Sequence, residues 1–369
     1  MNNKTITRRQ MNIEEHIPVF LKMVQDRAGS GRKKNGIQCI TLFVEGKIDN
    51  RLYKIIGGNK IASPFKTPLT FDPIWQFKEI EQTIKVSASW INDYRAHEFV
   101  IDSVDGYKGK CYGIIDNDLN KHEGEDQCRA LAITETHDQE TMLVLCYMDT
   151  LYQQLVKQYA IKDAAPLLLA GIIKVIHLTV HQGILEHTSI QWENSDFKDI
   201  THTYFIGKDD KKIYGPRRMY NTGFDSEIEH AIQEYGYRFG KAYINQFLNA
   251  YQSHCNMETD LLTALDDQRI IQKWLCEGLL NLDSDEIALI QKMCWYINGH
   301  LFFQQLALCI NDVLVNIKYR DEEYTEDRIG NQLIELFKKD PQLYYQYNPI
   351  TKCKRDLNAT NELVVVSGG

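Results

Sequence analysis

In "ITLFVEGKID" an apolar stretch ends at Val44, Glu45 follows directly, and Asp49 lies one helical turn beyond it. A carboxylate at the mouth of a buried segment is costly unless something compensates its charge. Such a pair either caps a helix or holds a cation. The arrangement recurs twice: Asp116 and Asp118 close "YGIIDND", and Asp138 and Glu140 follow the apolar stretch in "ITETHDQE". If three apolar strands end at a common edge, where open sheets bind their ligands, these carboxylates converge. Converging carboxylates raise one another's pKa values unless a cation neutralises them, and hard oxygen donors of this kind suit Mg²⁺ or Mn²⁺.

Asp116 and Asp118, in alternate positions, can grip one ion at two points. Gly46, next to Glu45, permits a tight turn and lets a phosphate approach the backbone at the start of the following helix. A metal ion that polarises a phosphoryl oxygen, beside a glutamate that relays a proton, is the equipment for phosphodiester chemistry. Each motif alone also has a plainer meaning. Glu-Gly is commonly a turn, Asp-x-Asp is commonly a cap, and "THDQE" reads as a capping box that would occupy Asp138.

The elements that must position these residues alternate between 37 and 160. Strand patterns "IQCITLFVE", "EFVID", "KCYGIID" and "RALAITET" are interleaved with the helix patterns "DNRLYKII" and "HDQETMLVLCYMDTLYQQLVKQY". This predicts an α/β domain with a mostly parallel sheet flanked by helices. Residues 1–36 read as a helical arm, "NIEEHIPVFLKMVQDR", and a basic loop, "GSGRKK". Residues 161–369 read as mainly helical, with a loop-rich insertion around 194–223. Within this region "APLLLAGIIKVIHLTVHQGILE" is long enough to favour a buried helix over a strand.

Composition sets the wider limits. The chain of 369 residues is 43% hydrophobic and 25% charged, the balance of a soluble globular protein. No uninterrupted apolar run long enough for a membrane span is present, and "MNNKTITRRQMNIEEH" lacks the apolar centre of a secretory signal, so the expected compartment is the cytoplasm. Nine cysteines without a C-x-x-C pair fit reduced core thiols. A net charge of −8 argues against a protein coated in nucleic acid but permits local basic patches. Arg32 and Lys33 belong to one patch; Arg217 and Arg218, flanked by Tyr214 and Tyr220, belong to another that suits single-stranded nucleic acid or an acidic protein surface. Lys47 in "EGKID" could face a phosphate, although a solvated lysine is the commoner case.

"LFVEGKIDNRLY" followed by "YGIIDND" resembles a TOPRIM domain, in which a strand-end Glu-Gly precedes a strand-end Asp-x-Asp. The resemblance implies that Glu45 acts as general acid or base and that Asp116 and Asp118 bind Mg²⁺. Asp49, the "HDQE" helix start with Asp138 and Glu140, and a late "INGHLFFQQL" resemble the TOPRIM-like nucleases of the AriB type, effectors of the PARIS anti-phage system, over roughly residues 37–315. That likeness implies a toxic endonuclease whose substrate is RNA, with tRNA foremost. It also implies restraint by a separate ABC-type ATPase of the AriA kind, since "GSGRKK" lacks the ending of a P-loop and precedes a strand. The wide spacing between Glu45 and Asp116 departs from a compact TOPRIM core and implies an insertion.

A non-catalytic module that binds metal or nucleotide in a defence complex is the alternative, and a bond-forming primase is a further one. Of the remaining candidates, His177 and His181 share a helix face with spacing i, i+4, and His187 follows. The interior Glu of a zincin motif is missing, so these read as core or helix-surface histidines. His137, adjoining Asp138 and Glu140, reads equally as a support or cap for the acidic cluster and as a catalytic histidine, and His300 beside Gly299 fits either a functional histidine or a kink.

Overall fold

A computed structural model describes residues 33–34, 37–38, 40–44, 51–52, 69–73, 111–117, 119, 131–160, 164–191, 241–319 and 323–347. The chain divides into two compact units: Met1–Glu135 with Pro341–Gly369, and Thr136–Asp340. The expected arm helix, the strand "EFVID", the insertion and the C-terminal "LVVVSGG" lie outside the described residues.

In the first unit the strands are short. β1 (Lys33–Lys34) and β2 (Ile37–Gln38) pair antiparallel. β3 (Ile40–Val44), β4 (Leu69–Pro73), β5 (Cys111–Ile115) and β6 (Leu131–Ile133) form parallel ladders in the order β4-β3-β5-β6. Phe43 stands opposite Gly113, and Ile115 opposite Ile133.

The second unit is all helix among its described residues. Its helices are α1 (Gln139–Gln158), α2 (Ala164–Gln191), α3 (Lys241–Met257), α4 (Thr259–Asp267), α5 (Arg269–Glu277), α6 (Ser284–Tyr296), α7 (Gly299–Asn316) and α8 (Glu326–Lys339). A short helix, α9 (Gln342–Tyr347), belongs to the first unit.

The expected α/β class, with a parallel sheet flanked by helices as the body of the protein, is therefore corrected: the described structure is predominantly helical, and its larger unit is a helical bundle. The unit boundary falls at 135/136, where the sequence reading put it at 160. The cause lies in α1, which follows a strand pattern and so reads as a crossover returning to a sheet. Its residues Gln139–Met148 are instead buried without interruption, which an amphipathic crossover helix does not require. They make α1 a central helix of the bundle, packed by α5, α6 and α8.

α2 is the second central helix, packed by α3, α6 and α7. Its segment Ala164–Thr188 contains an 18-residue window of mean hydropathy 1.6, long and apolar enough to cross a membrane, of which 56% is buried inside the protein. Two breaks depart from the sequence pattern. "TDLLTALDDQRIIQKWLCEGLL" divides at Gln268, whose φ of 61° places it in the left-handed region and separates α4 from α5. The stretch around "INGH" breaks at Ile297 and Asn298, whose backbones are extended, and Asn298 caps α7 by accepting from the Leu301 N–H. Gly299 is the first residue of the new helix, not a kink within an old one.

Candidate functional site

Of the expected acidic set, Glu45, Asp49 and Asp118 lie outside the described residues, as do Lys47, Arg32, Arg217 and Arg218; Lys33 is described only as backbone in β1. Asp116 is half-buried immediately after β5. The turn that carries it is fixed from the next position. Asn117 donates its backbone N–H to Thr134 Oγ1 at 3.0 Å and its side-chain amide to the Thr134 carbonyl at 3.1 Å, tying the end of β5 to the residue after β6. Leu119 is 1% exposed, with a φ of 62°. A leucine in the left-handed region costs of the order of 1 kcal/mol, and such strain persists only where the surroundings impose it. Asn117 is thus tied to Thr134, and Leu119 is both strained and buried. Residue types alone gave no signal of either feature.

Asp138 and Glu140 belong to the helical unit. Asp138 is the N-cap of α1: Oδ1 accepts from the Thr141 N–H at 2.8 Å and from the Thr141 hydroxyl at 2.8 Å. Oδ2 accepts from the Gly299 N–H, at the start of α7, at 2.8 Å and faces His137 Nδ1 at 3.2 Å. Burial works against its charge, but His137 and the N–H groups of Gly299 and Thr141 outweigh it and hold the carboxyl below its usual range. Both oxygens are engaged by donors, so the residue fits a cap that joins two helix starts and does not fit a metal ligand.

Glu140, 6% exposed, lies 3.6 Å through Oε1 from His300 Nε2. His300 Nδ1 faces Glu326 Oε1, in the first turn of α8, at 2.7 Å, and Gln304 donates to the other Glu326 oxygen at 3.3 Å. Three helix N-termini thus meet a cluster of carboxylates, the favourable pairing for helix dipoles. The hydrogen bond to Glu326 is the main influence on His300; burial opposes it, the charges of Glu140 and Asp138 add to it, and the imidazole is pushed up to about 9. Glu326 is correspondingly held low, chiefly by His300.

The other histidines sit apart. His187 stacks edge-on against His254, ring centroids 4.8 Å apart, and against Trp295 at 5.2 Å. Buried His254 contacts Thr188 Oγ1 through Nδ1 at 2.9 Å and the Tyr296 hydroxyl through Nε2 at 3.1 Å, and Tyr296 donates to Glu258 at 2.9 Å. Burial, reinforced by His254, lowers His187 to about 4, and burial lowers His254 as well.

These shifts predict opposite pH limbs for the helical unit. A histidine depressed on folding contributes stability that is present above its unfolded pKa and lost as pH falls, here from about 6.5 towards 4 for His187. His300, raised on folding, contributes stability that is present below about 6.5 and lost as pH rises through about 9. Urea midpoints should therefore peak near pH 6.5, with His300→Ala flattening the alkaline limb and His187→Gln the acid one. A midpoint that keeps rising from pH 6.5 to 9 contradicts this assignment.

No known family model matches the chain, and no curated protein or solved structure matches it either.

Proposed function

We propose that the chain is a Mg²⁺-dependent nuclease that hydrolyses phosphodiester bonds, with RNA, and tRNA foremost, as substrate. It works in the cytoplasm as the toxic arm of an anti-phage system, restrained by a separate ABC-type ATPase. The observation that carries the chemistry is the held turn at Asp116, pinned by Asn117 to Thr134 and followed by the strained Leu119. Strain and redundant bonding concentrate where a side chain has to be aimed. The parallel ladder between β3 and β5 adds support, because Val44 and Ile115 end their strands at the same edge of the sheet. The choice of RNA and of an ATPase partner rests on the sequence resemblance alone.

In this assignment Asp116 and Asp118 hold the ion with Asp49 beside them, and Glu45 moves the proton between the attacking water and the leaving oxygen. Mg²⁺, when bound, supplies polarisation of the phosphoryl oxygen and a more acidic water. The basic residues Lys47, Arg32, Lys33, Arg217 and Arg218 meet the phosphates. Asp138 is left out, its oxygens being taken by the cap, and Glu140 is answered by His300.

Incubation of the purified chain with labelled RNA and DNA tests the assignment. Cleavage should require Mg²⁺, stop on chelation and resume when Mg²⁺ is restored. Glu45→Ala should lower the rate by roughly 10²–10⁴-fold, the usual contribution of a general acid or base. Metal uptake with no cleavage of either polymer would favour the non-catalytic binding module.

A further inference from the structure

Thr188, His254, Tyr296, Glu258 and Lys292 form one line of side chains that links α2, α3, α6 and the join between α3 and α4. Thr188 Oγ1 donates to the Ile184 carbonyl at 2.8 Å and meets His254 Nδ1 at 2.9 Å. His254 Nε2 meets the Tyr296 hydroxyl at 3.1 Å, and that hydroxyl lies 2.9 Å from Glu258 Oε1. The other Glu258 oxygen pairs with Lys292. We propose that this line is a proton switch: with His254 neutral the Tyr296 hydroxyl donates to His254, and with His254 protonated it turns to Glu258.

The contacts Thr188–Ile184, His254–Thr188, His254–Tyr296 and Tyr296–Glu258 each need a hydrogen. Each hydroxyl supplies one, a neutral imidazole supplies one, and the carbonyl and the carboxylate supply none. A neutral His254 therefore leaves one contact empty, whereas an imidazolium, with both ring nitrogens donating, fills them all. Thr188 gives its hydrogen to the carbonyl of buried Ile184, so its oxygen accepts from His254, which puts the single proton of the neutral ring on Nδ1. Nε2 is then an acceptor, and in a residue 4% exposed a missing donor is costly. Glu258 is where the gap costs least, because its carboxylate keeps Lys292 and its side chain is 13% exposed. The added proton goes from solvent to Nε2, which changes from acceptor to donor, and no bond between heavy atoms changes.

Burial works against the charged ring and is the main influence, holding His254 below the usual histidine range; Glu258 opposes burial, and Lys292 acts with it. From α2 the His187 ring also faces His254, with centroids 4.8 Å apart, and burial first, then His254, lowers it to about 4. The switch thus works on the acid side of neutrality. It passes the charge state of a histidine buried among α2, α3 and α6 to a carboxylate at the α3–α4 join. It shares no residue with the acidic set at Asp116 and does not depend on the nuclease assignment.

Side-chain ¹⁵N spectra of the full chain, followed downward through the ordinary histidine value of about 6.5, test it. The signal lost in His254→Gln assigns His254. Its neutral form should carry the proton on Nδ1. Tyr296→Phe, which keeps the ring, and Glu258→Gln, which keeps the side-chain shape, should each weaken proton uptake at His254 by about tenfold or more, as loss of a countercharge or of the group that relays it does. A neutral ring protonated on Nε2, a His254 that stays uncharged until the unit unfolds, or proton uptake unchanged by either substitution overturns the proposal and leaves a static set of buried contacts.

Discussion

Replacing Asp138 by alanine should destabilise the helical unit by about 3–5 kcal/mol, the range for removing one partner of a buried charged pair. Loss of the N-cap to α1 accounts for about 1 kcal/mol. The larger part comes from donors that would be stranded. The Gly299 N–H, buried at the start of α7, would lose its acceptor, at about 1–3 kcal/mol. His137, 4% exposed, would lose the carboxylate that its Nδ1 faces. Asp138→Asn should fall between, because an amide keeps one oxygen for one N–H but turns a donor towards the others. Urea unfolding followed by circular dichroism measures this directly. A loss below about 1 kcal/mol would show that the junction between α1 and α7 is not held by this carboxylate.

Gly183→Ala should be nearly as damaging, although alanine is the better helix former by about 1 kcal/mol. A Cβ at this position of α2 would lie 1.9 Å from the Tyr296 carbonyl oxygen, 2.7 Å from its carbonyl carbon and 2.9 Å from its Cβ. Two of these atoms are backbone at the C-terminal end of α6, so no rotamer relieves the clash. Overpacking of this sort costs roughly 1–3 kcal/mol and more where the neighbour cannot yield, which outweighs the gain in propensity. Melting should fall by about 6–12 °C if the net cost is near 3 kcal/mol in a unit of this size. An unchanged or raised melting temperature would mean that α2 and α6 do not approach as described.

Some of this was legible in the sequence. The long apolar pattern after Ala164 marks α2 as a buried helix, and "THDQE" reads as a capping box at Asp138, where the cap is found. What stayed hidden is tertiary. Nothing near Asp138 indicates that its second oxygen serves Gly299, 161 residues away, and His300 acquires its character from Glu326 on another helix. The α/β reading failed at α1 because an unbroken buried run and a crossover helix look alike until the neighbours are known. The helix end at Gln268 was equally silent, since glutamine is an ordinary helix former and only its left-handed backbone makes the break. In the candidate site, the acidic spacing was readable, whereas the Asn117–Thr134 bonds beside Asp116 depend on strands that meet only in the fold, and the left-handed backbone of Leu119 has no signature in its residue type.

The central claim is that this chain cuts nucleic acid with Glu45 moving the proton. Sequencing RNA and DNA ends from cells that express the wild-type chain or Glu45→Ala, matched for protein level, tests it most directly. New ends at a recurring position in RNA, present with the wild type and gone with Glu45→Ala, are the expected result; the same ends persisting in the Glu45→Ala cells, or no new ends in either polymer from a wild-type chain that still arrests growth, would contradict it.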